Sequence, residues 1–329
     1  MNLIRMFDKI VSDGDAKFNL EDYAGAIDAY SRAISLKPTD KLFLKRGFSY
    51  FAIGEHLAAL KDYGKAIELD PMNPEGYRGR IMVNRFENDY DWMLSDFNKI
   101  VEIEPDNPKN YLDRGEFKYS RDDFDGAIED CSKAIELAPD DGSAYLLRGK
   151  AKSGTGSYIS GINDFTKSED GTPNDAAPIT EKGETRVEVG DESGAFLDFN
   201  KAIEIDPDYD MAYINRGDLY FEHDHYEEAV TDYSKAIEID PLNSYPYFRR
   251  GLALEFIADY QGAINDHTSA LAIDKDFKEA YFNRGCAKVR IKDNNGALAD
   301  FDAALKIDPD YEEVYLERDL LLDMLENND

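Results

Sequence analysis

Two cysteines in 329 residues cannot build a disulfide framework. Cys131 and Cys286 stand far apart, in different repeats, which reads as a reducing compartment or as two inert buried thiols. Histidine is almost as scarce, with four residues. Only His223 and His225 are spaced to share a metal, and no cysteine or third histidine lies near them. No stretch of 18 apolar residues occurs, so no membrane insertion is expected. The start, MNLIRMFDKIVSDGDAKF, lacks the apolar centre of a signal peptide. The expected location is cytoplasmic, although an exported chain trimmed of its leader would read the same.

Positive charge is in deficit, with 38 basic residues against 69 acidic ones and a net charge of −31. Nucleic-acid binding needs a cationic face that displaces counterions, and no Lys/Arg block supplies one. A field this negative favours basic or neutral partners. Catalytic motifs are missing as well: there is no P-loop, no H-E-x-x-H and no G-x-S-x-G. The glycines at Gly154, Gly156 and Gly161 miss the dinucleotide spacing. Acid pairs abound, but 69 carboxylates ensure proximity by chance. Neither an enzyme nor a cofactor is expected.

What the chain does have is a period. Proline recurs at Pro71, Pro105, Pro139, Pro173, Pro207, Pro241 and Pro309, in steps of 34 or a multiple of it. A fixed period of this length means one small unit stacked many times. The best-preserved unit reads MAYINRGDLYFEHDHYEEAVTDYSKAIEIDPLN. Tyr213, Gly217, Tyr220 and Phe221 fall at helical spacing, as do Ala229, Tyr233, Ala236 and Ile237. The polar His223-Asp224-His225 separates the two runs, and Asp240-Pro241 stops the second. Each unit is therefore a pair of antiparallel helices.

These residues resemble the tetratricopeptide repeat family: small residues at positions 8, 20 and 27, aromatics at 4 and 24, proline at 32. The resemblance covers about nine repeats, 7–39, 40–73, 74–107, 108–141, 142–175, 176–209, 210–243, 244–277 and 278–311, with a capping helix over 312–327. It implies an all-α, right-handed superhelical solenoid of antiparallel helix pairs. Gly47, Gly115, Gly149, Gly217, Gly251 and Gly285 are expected to face Ala59, Ala127, Ala195, Ala229, Ala263 and Ala297, where a larger side chain would overpack. The cap is expected to show a polar face at Arg318, Asp319, Asp323, Glu326 and Asp329 around the stripe Leu321, Met324 and Leu325.

A charge ladder runs through the repeats. Position 7 holds Arg46, Arg80, Arg114, Arg148, Lys182, Arg216, Arg250, Arg284 and Arg318. Position 23 holds Asp62, Asp96, Asp130, Asp164, Asp198, Asp232, Asp266 and Asp300. The first repeat lacks both, with Asp13 and Ala29 instead. This joint presence and absence predicts pairing, each Asp lying between the Arg of its own repeat and that of the next. The ladder reads as architecture, since partly buried charges are normally paired.

Two repeats fray. In 74–107 the tight positions become Ile81, Met93 and Ile100, beside the only tryptophan, Trp92; the larger side chains predict a displaced helix pair. In 142–175 the segments 152–157 and 168–178 are rich in Gly, Ser, Pro, Asn and Asp. They predict a shortened second helix and a loose connection at 168–178, dividing one continuous solenoid into repeats 7–167 and 179–327.

The resemblance places a peptide groove on the first helix of each repeat. Two apolar sections result, one at Leu44, Phe48, Phe51, Phe86 and Tyr119, the other at Ile214, Phe221, Phe248, Leu252 and Phe282, with Glu116 and Asp218 among the acids beside them. Neither the carboxylate clamp of the family's chaperone-tail binders nor its asparagine ladder is matched. The expected function is a non-catalytic scaffold that binds a protein or peptide, basic and apolar-anchored, in this groove. The alternative is a homo-oligomer that self-assembles through repeat or end surfaces.

Overall fold

A computed structural model describes residues 3–87, 89–90 and 92–326. Among them are nineteen α-helices and no strand. The chain divides into two compact units, residues 1–157 and 158–329. The first unit contains α1 (Leu3–Asn19), α2 (Tyr23–Leu36), α3 (Asp40–Ala52), α4 (His56–Leu69), α5 (Pro74–Phe86), α6 (Met93–Ile103), α7 (Pro108–Tyr119), α8 (Phe124–Leu137) and α9 (Gly142–Gly154). The second contains α10 (Tyr158–Gly171), α11 (Ala177–Glu188), α12 (Glu192–Ile205), α13 (Asp210–Glu222), α14 (Tyr226–Ile239), α15 (Ser244–Phe256), α16 (Tyr260–Ile273), α17 (Lys278–Arg290), α18 (Asn294–Ile307) and α19 (Glu312–Glu326).

Local chemistry sets the helix boundaries. In eight repeats the turn inside the pair puts position 15 in the left-handed region: Gly54, Gly156 and Gly190 occupy it, but so do Glu21, Asp122, Asp224, Ala258 and Lys292. The next residue caps the second helix. Asp22, Asp123, Asp191, Asp259 and Asp293 each accept a hydrogen bond from the backbone N–H three residues on. That third residue is glycine in all five, because a Cβ there would press on the capping carboxylate.

Glycines at position 8 that were expected to face the alanine at position 20 lie nearest the side chain at position 24, a ring for Gly47, Gly217, Gly251 and Gly285 and the Cys131 sulfur for Gly115, which also meets Ala127. A Cβ on Gly217 would lie 2.9 Å from the Tyr233 ring, and one on Gly285 would lie 2.6 Å from Phe301. Repeat 74–107 absorbs its larger residues by another route. Ile81, Met93 and Ile100 are buried together with Tyr77, Phe97 and Phe117, and α6 keeps only 11 residues where its counterparts have 14. The close approach has moved to Gly79, where a Cβ would meet the Tyr63 ring of the preceding repeat at 2.3 Å. The shortened second helix is thus found here. In repeat 142–175, α10 has its full 14 residues, and only 172–176 of the loop-rich stretch lies outside helix.

The ladder forms within repeats. Arg46 Nε and Nη2 donate to the two carboxylate oxygens of Asp62 at 2.6 and 2.7 Å. The same fork joins Arg80 to Asp96, Arg114 to Asp130, Arg216 to Asp232, Arg250 to Asp266 and Arg284 to Asp300. Each carboxylate is nearly inaccessible, as are Asp164 and Asp198. The link to the neighbouring repeat differs from the expected one. It is the arginine that reaches back, through Nη1, to a polar residue at position 25: Ser31, Asn98, Ser132, Asn200, Ser234 and Thr268 accept from Arg46, Arg114, Arg148, Arg216, Arg250 and Arg284. Arg318 closes the series on Asp302 at 2.9 Å. An aromatic ring three residues earlier, such as Tyr213 at 5.7 Å from the Arg216 guanidinium, covers each fork.

Lys182 breaks the fork geometry. It holds Asp198 at 3.3 Å and Glu169 at 2.6 Å, and burial keeps the Asp198 carboxyl above its usual range despite Lys182 and Arg186 beside it. In the cap, Val314 and Leu321 are buried. Its outer face is less polar than expected, because Leu316, Leu320 and Met324 are each more than half exposed. Asp329 lies outside the described residues.

Candidate peptide-binding surface

Within each unit first helices of neighbouring repeats touch one another. In the first unit α3 meets α5 and α7 meets α9; in the second, α11, α13, α15, α17 and α19 touch in sequence. The first helices therefore form the inner layer, where side chains from adjacent repeats converge.

In the first unit that layer is open and apolar. Leu44, Phe48 and Met82 line a cleft between α3 and α5, with Phe18 on one side. Phe48 packs on Phe18 at 5.4 Å yet remains 39% exposed. Met82 continues into a second cleft with Ile81 and Arg85, between α5 and α7. Arg78, shared by both clefts, is held by Glu75, Glu104 and Asn110. Leu44 and Phe51 are half-buried, Phe86 is 65% exposed, and Glu116 is exposed. Tyr119 lies against Phe124 at 5.5 Å, half-buried.

The second unit departs further from expectation. Ile214 is only 2% exposed and packs in the core with Tyr213 and Ala236, so it lines no groove. Ile203 of α12 and Ile239 of α14 pack against this cluster. Phe248 rests against Phe277 at 4.7 Å and Phe282 against Tyr311 at 5.5 Å; both are half-buried, as is Leu252. Asp218 does not present a free charge. Tyr233 and Tyr245 donate their hydroxyls to it at 2.6 and 3.0 Å, and Arg249 pairs with it at 2.8 Å. The Arg249 guanidinium also lies 4.5 Å over the Phe221 ring. Burial, with the Asp218 charge adding to it, pushes the Tyr245 hydroxyl up to about 12. The inner cleft beside this network has Val187 and Leu219 at its floor. Its rim carries Glu188 and Glu222, which have no ion-pair or hydrogen-bond partner among the described residues.

Sequence reasoning missed the residues at position 17. His56 and Tyr226 open the second helices α4 and α14, and each joins a ring cluster with the residues at position 12 of its own repeat and position 13 of the next. An aromatic at the start of the second helix was the available signal. Among the described residues no group of three His, Cys, Asp or Glu could hold a metal. His223 is paired with Glu192 at 2.9 Å.

Sequence models described as tetratricopeptide repeat match residues 14–40, 41–73 and 278–311 and residues 199–231; a TPR repeat model matches 217–255. The heat-shock protein cognate co-chaperone sgt12 of Aspergillus fumigatus is 33% identical over 81 residues, 24% of this chain and 24% of that protein. Hsp70-Hsp90 organizing protein 3 of Arabidopsis thaliana is 34% identical over 79 residues, 24% of this chain and 14% of that protein. The matched stretch thus spans a quarter or less of these curated relatives. Among solved structures, the APC/C hetero-tetramer Cut9-Hcn1 is similar with a TM-score of 0.59 at 16% identity, covering 98% of this chain and 70% of that one. A tetratricopeptide repeat protein from Parabacteroides merdae gives 0.56 at 17% identity, covering 76% of this chain and 99% of that one. At such identities the likeness concerns the fold alone.

Proposed function

The chain belongs to the tetratricopeptide repeat family, and we propose that it is a non-catalytic scaffold whose inner helix layer holds a segment of another protein. The segment is apolar-anchored and of basic character. The observation that carries this reading is the open cleft of Leu44, Phe48 and Met82, with Phe48 39% exposed although it sits among other rings. Apolar side chains left in contact with water over a concave surface mark a place where something else covers them. The net charge of −31 adds a long-range attraction for a basic segment. The curated relatives are named as co-chaperone and organizing proteins, which agrees with a role in holding other proteins. The proposed location is cytoplasmic.

The test compares affinity capture by the full chain and by a Phe48→Ala variant, with a thermal melt of each. The expected result is loss of retained protein at an unchanged melting temperature. If retention is unchanged in Phe48→Ala and disappears only on raising salt, the acidic surface binds and the apolar cleft does not.

A further inference from the structure

Three rings meet at the end of α3 and the start of α4. Phe51 and His56 are stacked at 5.4 Å, Phe86 from the next repeat stands edge-on to Phe51 at 6.0 Å, and His56 and Phe86 are 4.6 Å apart. Rings at the same three repeat positions meet again in the second unit, five periods later in the sequence, with a different pair stacked. Phe221 and Tyr226 lie 5.4 Å apart, Phe256 is edge-on to Phe221 at 5.5 Å, and Tyr226 and Phe256 stack in parallel at 4.5 Å. In both, the ring at position 12 is half-buried and supports the ring at position 13 of the next repeat, which is left in water. Phe86 is 65% exposed and Phe256 is 61% exposed.

The fold does not require an exposed third ring. In the repeats that follow Tyr119 and Phe124, position 13 is Gly154, and a Cβ there would lie 3.0 Å from the Phe124 ring. The packing closes over a glycine, with Tyr119 and Phe124 in contact at 5.5 Å. A phenylalanine at position 13 therefore adds exposed apolar surface that the helix pair can do without. Exposed contiguous aromatics of this kind are the usual mark of an interaction site.

The charge around each triad selects the occupant. Near the first in sequence are Glu55, Glu87 and Asp89, all exposed, and the cation Arg85. Glu87 pairs with His56, while Glu55 makes no ion pair or side-chain hydrogen bond among the described residues. Near the second in sequence are Glu222, Asp224, Glu255 and Asp259, and the cation Arg249, which Asp218 already neutralises. Glu255 is held by His267 and Asp224 by Tyr226, and Glu222 has no such partner. The Arg249 guanidinium over Phe221 shows that these rings accept a cation on their face.

We propose that the triads Phe51–His56–Phe86 and Phe221–Tyr226–Phe256 are two equivalent docking sites for a partner segment that presents an apolar side chain flanked by lysine or arginine. The proposal deepens the scaffold reading and rests on it, since it supplies two copies of one recognition element. The apolar side chain lies against the exposed position-13 ring, and the basic flank meets the unpaired carboxylate next in sequence to another ring of the triad, Glu55 before His56 and Glu222 after Phe221.

The probe is a synthetic twelve-residue peptide with one phenylalanine between Lys-Arg pairs on a Gly/Ser background, titrated into the full chain by calorimetry. The expected result is two sites of similar affinity per chain. Phe86→Ser removes one, Phe256→Ser the other, and the double variant both, with thermal melts unchanged because both rings are mostly in water. A peptide with Glu replacing Lys and Arg, or Ala replacing Phe, does not bind. The proposal is overturned by a single site, by equal binding of the Glu peptide, or by binding that survives the double variant. It is also overturned if no saturable binding occurs below about 1 mM, a free energy of only ~4 kcal/mol. If the double variant binds the probe normally while Phe48→Ala still abolishes capture, the triads are not sites and the cleft reading stands. If the double variant abolishes probe binding while Phe48→Ala leaves capture intact, the cleft reading fails and the triads stand.

Discussion

Asp232 and Arg216 are unequally buried, and that inequality predicts unequal costs for removing them. The Asp232 side chain is 5% exposed and the Arg216 side chain 19%. Arg216→Met leaves a carboxylate that has lost two hydrogen bonds, of 2.7 and 2.6 Å, and cannot be rehydrated without opening the helix pair. A broken buried pair of this kind costs about 3–5 kcal/mol. Loss of the guanidinium over Tyr213 adds ~0.5–1 kcal/mol. Asp232→Ala leaves instead a long cation that still donates to Asn200 and can swing toward water, so its cost should be about 1–2 kcal/mol, near that of one charge-assisted bond. Once Asp232 is absent, removing Arg216 should add little. The double variant is therefore expected near Asp232→Ala, with a coupling energy of about 3–5 kcal/mol, the cost of the broken pair. The assay is urea unfolding followed by far-ultraviolet circular dichroism, with hydrogen exchange read in α13 and α14, because repeat arrays can unfold in parts. If Arg216→Met costs no more than Asp232→Ala, or if the two costs simply add, the ladder is a solvated ion pair and the argument from burial fails.

Ala258 sits in the left-handed region at φ 64°, where a Cβ costs ~1–2 kcal/mol; Ala258→Gly should stabilise the chain by about 1 kcal/mol after glycine's entropy cost, and an unchanged or lower denaturation midpoint would refute this. Burial, helped by Glu317 and Glu255, pushes the Cys286 thiol up to about 12, and Cys131 is fully buried, so dithionitrobenzoate at pH 8 should label the unfolded chain far faster than the native one; rapid labelling of both native thiols would count against it. The Asp198 carboxyl, raised chiefly by burial, binds its proton more tightly in the folded chain than in the unfolded one. Its stabilising contribution is complete below the unfolded pKa and is lost as pH rises through the folded one. Wild type should therefore gain on Asp198→Asn as pH is lowered from 7 to 4 in urea titrations, and a shift the other way removes the assignment.

The period made most of the architecture legible because each repeat solves the same packing problem with the same residue types. Helix pairs, turn positions and the Arg/Asp forks follow from spacing alone. The errors came from partners that spacing does not order. Position 25 is Ser, Asn or Thr in most repeats, a weak signature that looks like a solvated face until an arginine Nη1 is found on it. Ile214 occupies the position at which Leu44 and Arg78 line clefts, yet it is buried with Tyr213 and Ala236, and Ile203 and Ile239 pack against that cluster. In repeat 74–107 the bulk of Ile81 and Met93 was visible, but the response was not: the glycine moved two residues, to Gly79, and α6 lost a turn.

Net charge is the property that the sequence most overstates as a binding signal, because most of the acids have internal work. Six of those at position 23 are taken by guanidinium forks, and five aspartates at position 16 cap the helix that follows. Asp218 holds two tyrosines and Arg249; Asp15, at the equivalent place in the first repeat, holds Tyr30 and Lys45 at 2.8 and 2.6 Å. What this leaves unpaired near the inner layer is a small set at the helix ends, Glu55, Glu188 and Glu222 among them. Glu55 and Glu222 flank the ring triads in sequence, each within one residue of a triad ring. The acidic field of the whole molecule thus attracts a basic partner without choosing where it lands. That choice falls to the few carboxylates that the repeat does not use, and two of them stand next in sequence to a ring of the triads.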